Sequence, residues 1–521
     1  MNRDQMRNLL QAHAGKVWDI LIIGGGATGL GIALDAASRG YRTLLLEQSD
    51  FSKGTSSKST KLVHGGVRYL AKGDIGLVLE ALAERGRLLK NAPHLTKNQE
   101  FIIPLYGFFD TALYTVGLLF YQLLAGRLGL GRSYFIGRKK VLERLPLLAG
   151  HHLKGGVVYH DGQFDDARMA LSLALTSMEK GACLLNYCRV TGMIKDDAGR
   201  ITGVRALDLL EQEKYLPAAR VVINATGVYA DRILQMDHPV AKATIRPSQG
   251  IHLVFDKSFL QSDSAIMIPK TNDGRVLFAI PWYDKVVVGT TDTPVDEVSL
   301  EPRALEQEIA FILSTAAIYL VKHPHRKDVL SIFAGLRPLA ATSSPASGTR
   351  EISRRHKITV SPSGLVSIVG GKWTTYRRMA EDTLRIAIKH SGMKWVPCST
   401  KNMRLHGYEP NPGNRINPYG SYVHEIKQMI VSDPSLAMPL HRNLPYNKAE
   451  IIWITRNEMP CTLEDMLARR TRALLLDARA SLEIAPVVAE MMAAELGHDD
   501  AWKEKQLTAY KELAANYLLE P

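Results

Sequence analysis

Three glycines near the N-terminus have a spacing that suits the binding of a dinucleotide phosphate. Gly24, Gly26 and Gly29 form the pattern G-x-G-x-x-G, in which the first glycine permits a tight turn and the second lets the backbone approach a pyrophosphate. Glu47 follows at the distance where an acidic side chain accepts hydrogen bonds from an adenosine ribose, which disfavours NADP. The cofactor-binding residues predicted around this turn are Gly24, Gly25, Gly26, Thr28, Gly29 and Glu47.

The glycines lie between a predicted strand and a predicted helix. Residues 18–23 (WDILII) form a short apolar run, and the following ATGLGIALDAASRG has small and apolar residues at helical spacing. The run TLLLE at 43–47 predicts a second, parallel strand. This βαβ context makes a glycine turn without a ligand the less favoured interpretation, because the helix N-terminus presents N–H groups to phosphate.

FAD is favoured over NAD by three features. No second G-x-G-x-x-G follows a strand, so no separate nicotinamide domain is predicted. The run ARVVINATG (219–227) predicts a late strand that returns to the cofactor and ends in a small-residue turn at Gly227. Gly370, Gly371 and Lys372 precede a helical run, and their N–H groups can reach an anionic flavin ring.

Length and composition limit the class of protein. A chain of 521 residues, 46% hydrophobic and 22% charged, predicts a globular protein of two or three structural units. The four cysteines form no CxxC pair, which argues against a zinc ribbon or a redox dithiol and fits a reducing compartment. No cysteine lies in a flavin motif, so FAD is expected to be bound non-covalently, and no metal site is predicted.

The net charge of +13 is compatible with an anionic substrate, an anionic membrane surface or nucleic acid, and also with an ordinary basic surface. The N-terminus lacks the apolar core of a secretory signal. The longest apolar stretch, at 111–126, is shorter than the roughly 18 residues needed to cross a bilayer and has basic neighbours. It predicts either an interfacial helix, whose membrane binding Leu118→Asp would weaken, or a buried core helix.

The rest of the chain predicts two further units. Alternating apolar residues from about 244 to 291 predict a half-exposed antiparallel sheet, and the box at Thr462–Asp465 predicts the start of a helix in a C-terminal helical domain. The predicted fold class is α/β (α+β overall), a Rossmann-type FAD-binding domain with an antiparallel-sheet substrate domain and an α-helical C-terminal domain. The predicted boundaries are 1–75, 151–235 and 330–395 for the FAD domain, 76–150 and 236–329 for the substrate domain, and 396–521 for the C-terminal domain.

Several long motifs resemble one family. ATGLGIALDAASRG, SSKSTKLVHGGVRYL (56–70), FAIPWYDKVVVGTTD (278–292), FAGLRPL (333–339) and GGKWTTYRRMAED (370–382) are closely similar to the FAD-dependent sn-glycerol-3-phosphate dehydrogenases. The resemblance runs in order from about residue 17 to 382, and ARRTRALLLDARA resembles the family's helical cap. It implies oxidation of glycerol 3-phosphate to dihydroxyacetone phosphate, with a hydride passed to FAD and electrons passed to quinone.

The resemblance also implies roles for individual residues. Arg337 and Arg350 match arginines that hold the substrate phosphate, and guanidinium forks suit that task. His252 is the predicted proton acceptor, although a core histidine is nearly as compatible. The resemblance places Arg68, Tyr69 and Lys372 as catalytic residues beside the substrate and the flavin ring, and Ser57, Lys61, His64, Gly65, Gly227 and Gly371 at the cofactor.

Two departures from the family pattern affect the predicted acceptor. Trp282 and Trp373 stand where relatives carry Tyr and a smaller residue, and an indole near the flavin would change the pocket. The alternatives are an oxidase that uses O₂ or a related 2-hydroxy acid or amine oxidoreductase. RNA binding is ranked far behind, because the basic residues are scattered, and nucleic acid is not an expected partner. We expect a cytoplasmic protein attached peripherally to the inner face of the cell membrane, with a homodimer as one option.

Overall fold

The computed structural model describes residues 2–70, 73–269, 271, 276–341, 355–413 and 416–520, with the backbone alone for Arg68 and for 108–110. The strands are β1 (Val17–Ile23), β2 (Thr43–Leu46), β3 (Leu62–Val63), β4 (Thr96–Leu105), β5 (Tyr134–Gly137), β6 (Gly155–Phe164), β7 (Cys183–Leu185), β8 (Cys188–Lys195), β9 (Ile201–Asp208), β10 (Lys214–Tyr215), β11 (Ala218–Asn224), β12 (Ile245–Asp256), β13 (Ala265–Ile268), β14 (Leu277–Trp282), β15 (Lys285–Gly289), β16 (Thr293–Pro294), β17 (Val329–Ala340), β18 (His356–Val360) and β19 (Val366–Gly370).

The α-helices are α1 (Arg3–Ala12), α2 (Ala27–Ser38), α3 (Val67–Leu70), α4 (Ile75–Asn91), α5 (Phe108–Ala125), α6 (Arg138–Arg144), α7 (Asp166–Glu179), α8 (Ala230–Asp237), α9 (Glu306–Tyr319), α10 (Tyr376–His390), α11 (Val423–Ser432), α12 (Lys448–Asn457), α13 (Ala473–Leu476), α14 (Ala478–Leu496) and α15 (Asp500–Ala515). A π-helical turn covers Asp465–Arg470.

The predicted Rossmann-type unit is confirmed by the first sheet. β1 lies between β2 and β11 and pairs in parallel with both. β1 and β2 are buried along nearly their whole length: α2 packs over both, and α7 and α10 pack against α2. This burial explains why their sequences are continuously apolar. β19 joins β11 in parallel, so the strand ends at 23, 46, 224 and 370 meet at one edge of the sheet.

The second sheet is largely antiparallel, as predicted, but it is not half-exposed. β12 pairs with both β15 and β17, and its side chains are buried on both faces. Val254 and Val287 pack on the C-terminal domain, whereas Leu253 and Val288 pack in a separate cluster with α9. The alternation in the sequence therefore separates two covered faces and does not mark a solvent face.

The predicted domain boundaries differ from the sheets at three places. β3, inside the predicted segment 1–75, pairs with β6 in the second sheet. β6 was placed in the FAD domain by the predicted segment 151–235, yet it pairs with β4 in the second sheet. β17, inside the predicted segment 330–395, also belongs to that sheet. A strand buried on both faces has the same apolar pattern in either sheet, so hydropathy does not distinguish its partner.

The C-terminal domain is helical, as predicted, and its capping box is present. The Asp465 N–H donates to Thr462 Oγ1 (3.2 Å), and Asp465 Oδ2 accepts from the Thr462 N–H (3.0 Å). The box opens the π-helical turn rather than a regular α-helix. Arg472 then adopts a left-handed conformation with φ of 65° before α13.

The apolar stretch at 111–126 forms most of α5, which combines both predicted alternatives. Leu118 and Tyr121 are buried, whereas Val116 and Leu123 are 67% and 74% exposed. Leu118 is therefore a core residue, so Leu118→Asp would disturb folding, and its predicted effect on membrane binding stays a prediction that this variant is unsuited to test. Within the described residues, no helix is long and apolar enough to cross a bilayer.

Candidate active site

A cavity of about 820 Å³ lies between the edge of the first sheet and the face of the second. One end is formed by Gly24, Glu47 and Val190, at or near the edge of the first sheet where β1 and β2 end. The other end is formed by His252 on β12 and Arg337 on β17. A cavity of this size, bounded at one end by a glycine turn and at the other by charged side chains, can hold a dinucleotide and a small substrate.

The glycine turn is tightly packed. A Cβ on Gly24 would lie 2.7 Å from the Ala225 carbonyl oxygen, and Gly24 has a φ of +109° that favours glycine. A Cβ on Gly29 would lie 1.9 Å from the Gly24 carbonyl oxygen, so a side chain there would force α2 away from the turn. The N-terminus of α2 consequently points into the cavity, where its N–H groups suit a pyrophosphate.

Glu47 is tied to the turn by two backbone hydrogen bonds. Its Oε2 accepts from the Gly25 N–H (2.6 Å), and its Oε1 accepts from the Ser49 N–H (2.9 Å). Burial raises the pKa of Glu47, and the two amides oppose that rise. Each carboxylate oxygen can accept a second hydrogen bond, so Glu47 can hold the glycine turn and ribose hydroxyls together.

Further residues at this end of the cavity were missed from the sequence. Ser56 Oγ accepts from the Ala27 N–H (2.9 Å) at the first turn of α2. Arg232 lies over the Tyr229 ring, 4.9 Å from its centre, at the side of the cavity lined by Val190. The only signal for Ser56 was its place in a run of small polar residues after β2.

Arg337 is held at the substrate end by three hydrogen bonds. Its Nη1 donates to the Gln249 carbonyl (3.1 Å), and its Nη2 donates to Thr290 Oγ1 (3.0 Å) and the Thr291 carbonyl (2.9 Å). Asp292 Oδ1 lies 3.5 Å from Nη1. The guanidinium is thus fixed in orientation at the cavity wall, with a carboxylate beside it.

Lys372 and Tyr69 meet at the same end of the cavity. The Lys372 ammonium nitrogen lies 3.7 Å from the centre of the Tyr69 ring, a cation–π contact. Both side chains contribute to the cavity wall, as does Gly371 in front of α10. A Cβ on Gly66 would lie 2.3 Å from the Tyr69 ring, so the glycine in this motif leaves room for the tyrosine.

His252 is only 2% exposed. Its Nε2 lies 3.0 Å from Thr60 Oγ1, and its Nδ1 is buried without a hydrogen-bond partner among the described residues. Burial and the neighbouring charges of Lys61 and Arg337 hold the pKa of His252 well below its usual value. His252 is therefore an uncharged imidazole near pH 7, and its role as proton acceptor stays a prediction.

Five residues predicted at the cofactor lie outside the cavity wall. Two of them, Gly25 and Gly29, belong to the glycine turn itself. The Lys61 side chain is fully buried and pairs with Asp166 (2.7 Å), so its charge faces an internal carboxylate and not the cavity. Ser57 is buried beside it, and its carbonyl accepts from Lys61 Nζ (2.8 Å). Gly65 lies against Tyr121, where its missing side chain admits the phenol group. By contrast Thr28, His64 and Gly227 do line the cavity.

The two tryptophans have different positions. Trp282 is fully buried against the C-terminal domain and does not line the cavity, so the expected change to the pocket is wrong for this residue. Trp373 does line the cavity, and its Nε1 donates to the Ser56 carbonyl (2.9 Å).

Arg350 lies outside the described residues, and the Arg68 side chain does as well, although its backbone belongs to α3.

Comparisons with known proteins agree with this geometry. Residues 19–377 match the family model for FAD dependent oxidoreductase, and residues 366–503 match that for the C-terminal domain of alpha-glycerophosphate oxidase. The chain is 40% identical to the mitochondrial glycerol-3-phosphate dehydrogenase of Macaca fascicularis, over 95% of this chain and 72% of that protein. It is 38% identical to the mitochondrial glycerol-3-phosphate dehydrogenase of Arabidopsis thaliana, over 98% of this chain and 88% of that protein.

Solved structures give the same result. The glycerol-3-phosphate dehydrogenase from Bacillus halodurans complexed with FAD has a TM-score of 0.80 and 29% identity, covering 99% of this chain and 98% of that one. The L-alpha-glycerophosphate oxidase from Mycoplasma pneumoniae, at 19% identity and a TM-score of 0.55, shares the fold over 75% of this chain and 99% of its own.

The glycine turn, Glu47 and the two sheets define an FAD-dependent oxidoreductase, and FAD is its cofactor. Within this class, the chain belongs to the glycerol-3-phosphate dehydrogenases.

Proposed function

We propose that this protein oxidises sn-glycerol 3-phosphate at C2 to dihydroxyacetone phosphate. FAD, when bound, supplies the hydride acceptor at its N5 atom. The C2 carbon loses the hydride and the C2 hydroxyl loses a proton, so the protein must bind the phosphate, orient C2 and accept that proton. The observation that carries the proposal is the fixed Arg337 guanidinium, which lies in one cavity with Lys372 and Tyr69.

Arg337 is the proposed phosphate ligand. Its positive charge at the cavity wall attracts an anionic phosphate, and its bonds to the Gln249 and Thr291 carbonyls fix its orientation without the substrate. Arg350, outside the described residues, remains the proposed second phosphate ligand. The Lys372 ammonium is proposed to stabilise negative charge that develops at the flavin ring.

His252 is the proposed proton acceptor, reached through Thr60. The Thr60 hydroxyl lines the cavity and lies 3.0 Å from His252 Nε2, so it can pass the C2 hydroxyl proton inward. His64 also lines the cavity and is the competing candidate. A comparison of His252→Gln with His64→Gln distinguishes the two candidates. The variant that lacks the proton acceptor should reduce the flavin more slowly, with an unchanged substrate Kd.

Flavin reduction without air tests the substrate. Glycerol 3-phosphate should bleach the bound flavin, whereas equal concentrations of glycerol and of lactate should bleach it far more slowly. If lactate or an amino acid bleaches the flavin and glycerol 3-phosphate does not, the proposed substrate is wrong.

Quinone is the proposed electron acceptor. The exposed face of α5 is apolar, and Arg127, Arg132 and the 138–140 segment lie close by in the chain, which suits peripheral attachment to an anionic membrane where quinone is dissolved. The alternative is an oxidase. The reduced protein should reoxidise slowly in air and quickly with a soluble quinone; fast reoxidation in air alone favours the oxidase.

The cytoplasmic location and the homodimer stay predictions.

A further inference from the structure

Residues 50–61, here called the cofactor segment, connect β2 to β3 and form one wall of the cavity. Ser56 in this segment accepts from the first N–H of α2, where a pyrophosphate would bind. Thr60 in the same segment contacts His252. The segment residues that line the cavity are Ser52, Lys53, Gly54, Thr55, Ser56, Lys58, Ser59 and Thr60.

The C-terminal domain holds the cofactor segment near both ends. Asp50 accepts from Arg469 Nε (2.5 Å) and from Arg470 Nη2 (3.0 Å). The Ser57 carbonyl accepts from Arg472 Nη2 (2.9 Å). The contacts link the start and the second half of the segment to three arginines of the C-terminal domain, at positions 469, 470 and 472.

A third link lies between these two. Lys53 pairs with Glu464 (2.6 Å), which precedes the π-helical turn. Lys53 also lies 3.1 Å from Glu301, a carboxylate that pairs with Lys58 (2.6 Å) and accepts from the Tyr517 hydroxyl (2.9 Å). Lys53 and Lys58 therefore have carboxylate partners that the C-terminal domain supplies or contacts.

The backbone that carries these arginines is unusual. Asp465–Arg470 forms a π-helical turn, a rare geometry often found at functional sites. Arg472 has a φ of 65°, a left-handed conformation that costs a residue with a side chain roughly 1 kcal/mol or more. Together these two features direct Arg469, Arg470 and Arg472 toward the cofactor segment.

The three arginines are also deeply buried, with side chains 4% exposed or less. Buried ion pairs add little net stability compared with apolar packing, because the charges must lose their water. The same domain interface already has a large apolar contact, in which Trp282 and Phe333 pack on helices of the C-terminal domain. Domain attachment alone therefore does not account for this set of charges.

We propose that Arg469, Arg470 and Arg472 are positioning residues for FAD, which hold the cofactor segment in its binding shape through Asp50 and the Ser57 carbonyl. The C-terminal domain thereby controls how tightly the protein retains FAD. Without this clamp, FAD must order the segment as it binds, and that ordering reduces its affinity.

The test compares Arg470→Met and Arg472→Met with Arg168→Met in the full chain. Arg168 lies on α7, is equally buried and crosses the same interface to Glu458 (Nη2 to Oε1, 2.6 Å). Its other side-chain hydrogen bonds within the described residues go to the Pro418 and Arg470 carbonyls and not to the cofactor segment. FAD is removed from each variant, and the Kd for FAD is measured by flavin fluorescence as FAD is added back. The melting temperature of the apoprotein and the visible circular dichroism of the reconstituted protein are also measured.

The two clamp variants should raise the FAD Kd about tenfold or more, as expected for lost charge-assisted bonds, and should change the flavin dichroism. Arg168→Met should lower the melting temperature by a similar amount and leave the Kd within about threefold. If Arg168→Met weakens FAD binding as much as the clamp variants, or if none of them changes the Kd, the proposal is overturned.

Milder variants keep the test decisive if a Met variant does not fold. Arg472→Lys keeps the charge but has one nitrogen where Arg472 uses two, Nη2 for the Ser57 carbonyl and Asp166 and Nη1 for the Ala468 carbonyl. The FAD Kd of this variant should therefore be intermediate. Amide hydrogen exchange in residues 50–61 should be faster in this variant, with β2 unchanged. Unchanged exchange in the segment would contradict the proposal.

Discussion

The ring of His252 stacks on the ring of Phe333, with the centroids 4.9 Å apart and the planes 17° from parallel. This contact seals the imidazole against an apolar surface. The Lys61 ammonium nitrogen lies 5.0 Å from the centre of the Phe333 ring. A proton on His252 would therefore sit in a dry site next to an existing positive charge.

The free energy of unfolding should decrease as the pH is lowered, because of His252 and His94. Burial lowers the pKa of His94 to about 4, and burial lowers that of His252 well below its usual value. Below about pH 6.5 the unfolded chain binds protons that the folded protein does not, so unfolding becomes easier by at most about 1.4 kcal/mol per pH unit for each group. Melts in urea at pH 6.5 and 5.0 measure this loss.

His94→Gln and His252→Gln should each make that pH dependence smaller, and the exposed His323→Gln serves as the control. Loss of stability from carboxylates adds to this effect only at lower pH, because the pKa of Asp50 is about 2: burial would raise it, but Arg470 and Arg469 lower it. An unchanged slope in both variants would contradict the prediction.

Glu47→Ala should weaken FAD binding by about tenfold to a hundredfold. The change removes the acceptor of the Gly25 and Ser49 amides as well as the ribose contact, at roughly 1.5–3 kcal/mol for a charge-assisted bond. Dilution of the purified variant, followed by fluorescence of released FAD, gives the affinity. Glu47→Gln keeps one acceptor oxygen, so its FAD affinity should lie between those of the wild type and the Ala variant. If the Ala variant keeps full FAD occupancy after dilution, Glu47 does not hold the ribose.

Arg337→Ala should reduce kcat/KM for glycerol 3-phosphate by about ten- to hundredfold, the kinetic equivalent of one lost charge-assisted contact. Arg337→Lys should recover only part, because an ammonium lacks the guanidinium fork. Glycerol has no phosphate, so its slow turnover should change little in either variant. An equal proportional loss on both substrates would mean that Arg337 does not recognise the phosphate.

Val116→Asp or Leu123→Asp should reduce binding to anionic vesicles without loss of folding, because both side chains are mostly exposed on α5. Binding of the wild type should also fall as salt rises. Leu118→Asp is the contrasting variant: its side chain is buried, so it should lower the melting temperature. Binding that is insensitive to salt and to both exposed substitutions would rule out α5 as the membrane contact.

Acid precipitation should release free FAD and leave a colourless pellet. Cys188 lines the cavity, but burial raises the pKa of its thiol to about 12, so it is not a thiolate near pH 7. Cys188→Ser should therefore give the same result as the wild type. Flavin that remains in the pellet of the wild type but not of the variant would indicate a thioether bond.

The glycine turn was predictable because its determinants are local. Gly24, Gly29 and Glu47 lie within one βαβ unit, and their spacing alone specifies a turn, a close helix–strand contact and an acidic residue after β2. The same holds for the capping box at Thr462. Each depends on residues that are near in sequence, so the pattern contains the geometry.

The roles of Lys61 and Trp282 were not predictable in this way. Lys61 pairs with Asp166, 105 residues away, and Trp282 is covered by the C-terminal domain. A lysine inside a cofactor motif looks the same in sequence whether its ammonium faces the cavity or an internal carboxylate. Only the packing of distant elements distinguishes the two, as it does for the sheet that β6 joins.

The long separation between interacting segments also affects how the chain matures on the ribosome. Val17 pairs with Ala218, and the Ser57 carbonyl has its partner in Arg472, 415 residues later. At about 5–20 residues per second, synthesis of that interval takes about 20–80 s. For the first part of this time, until β11 has been made, one edge of β1 stays unpaired. An unpaired strand edge favours aggregation of the nascent chain. A chain released before Arg472 would contain the complete glycine turn and still lack the residues that secure the cofactor segment.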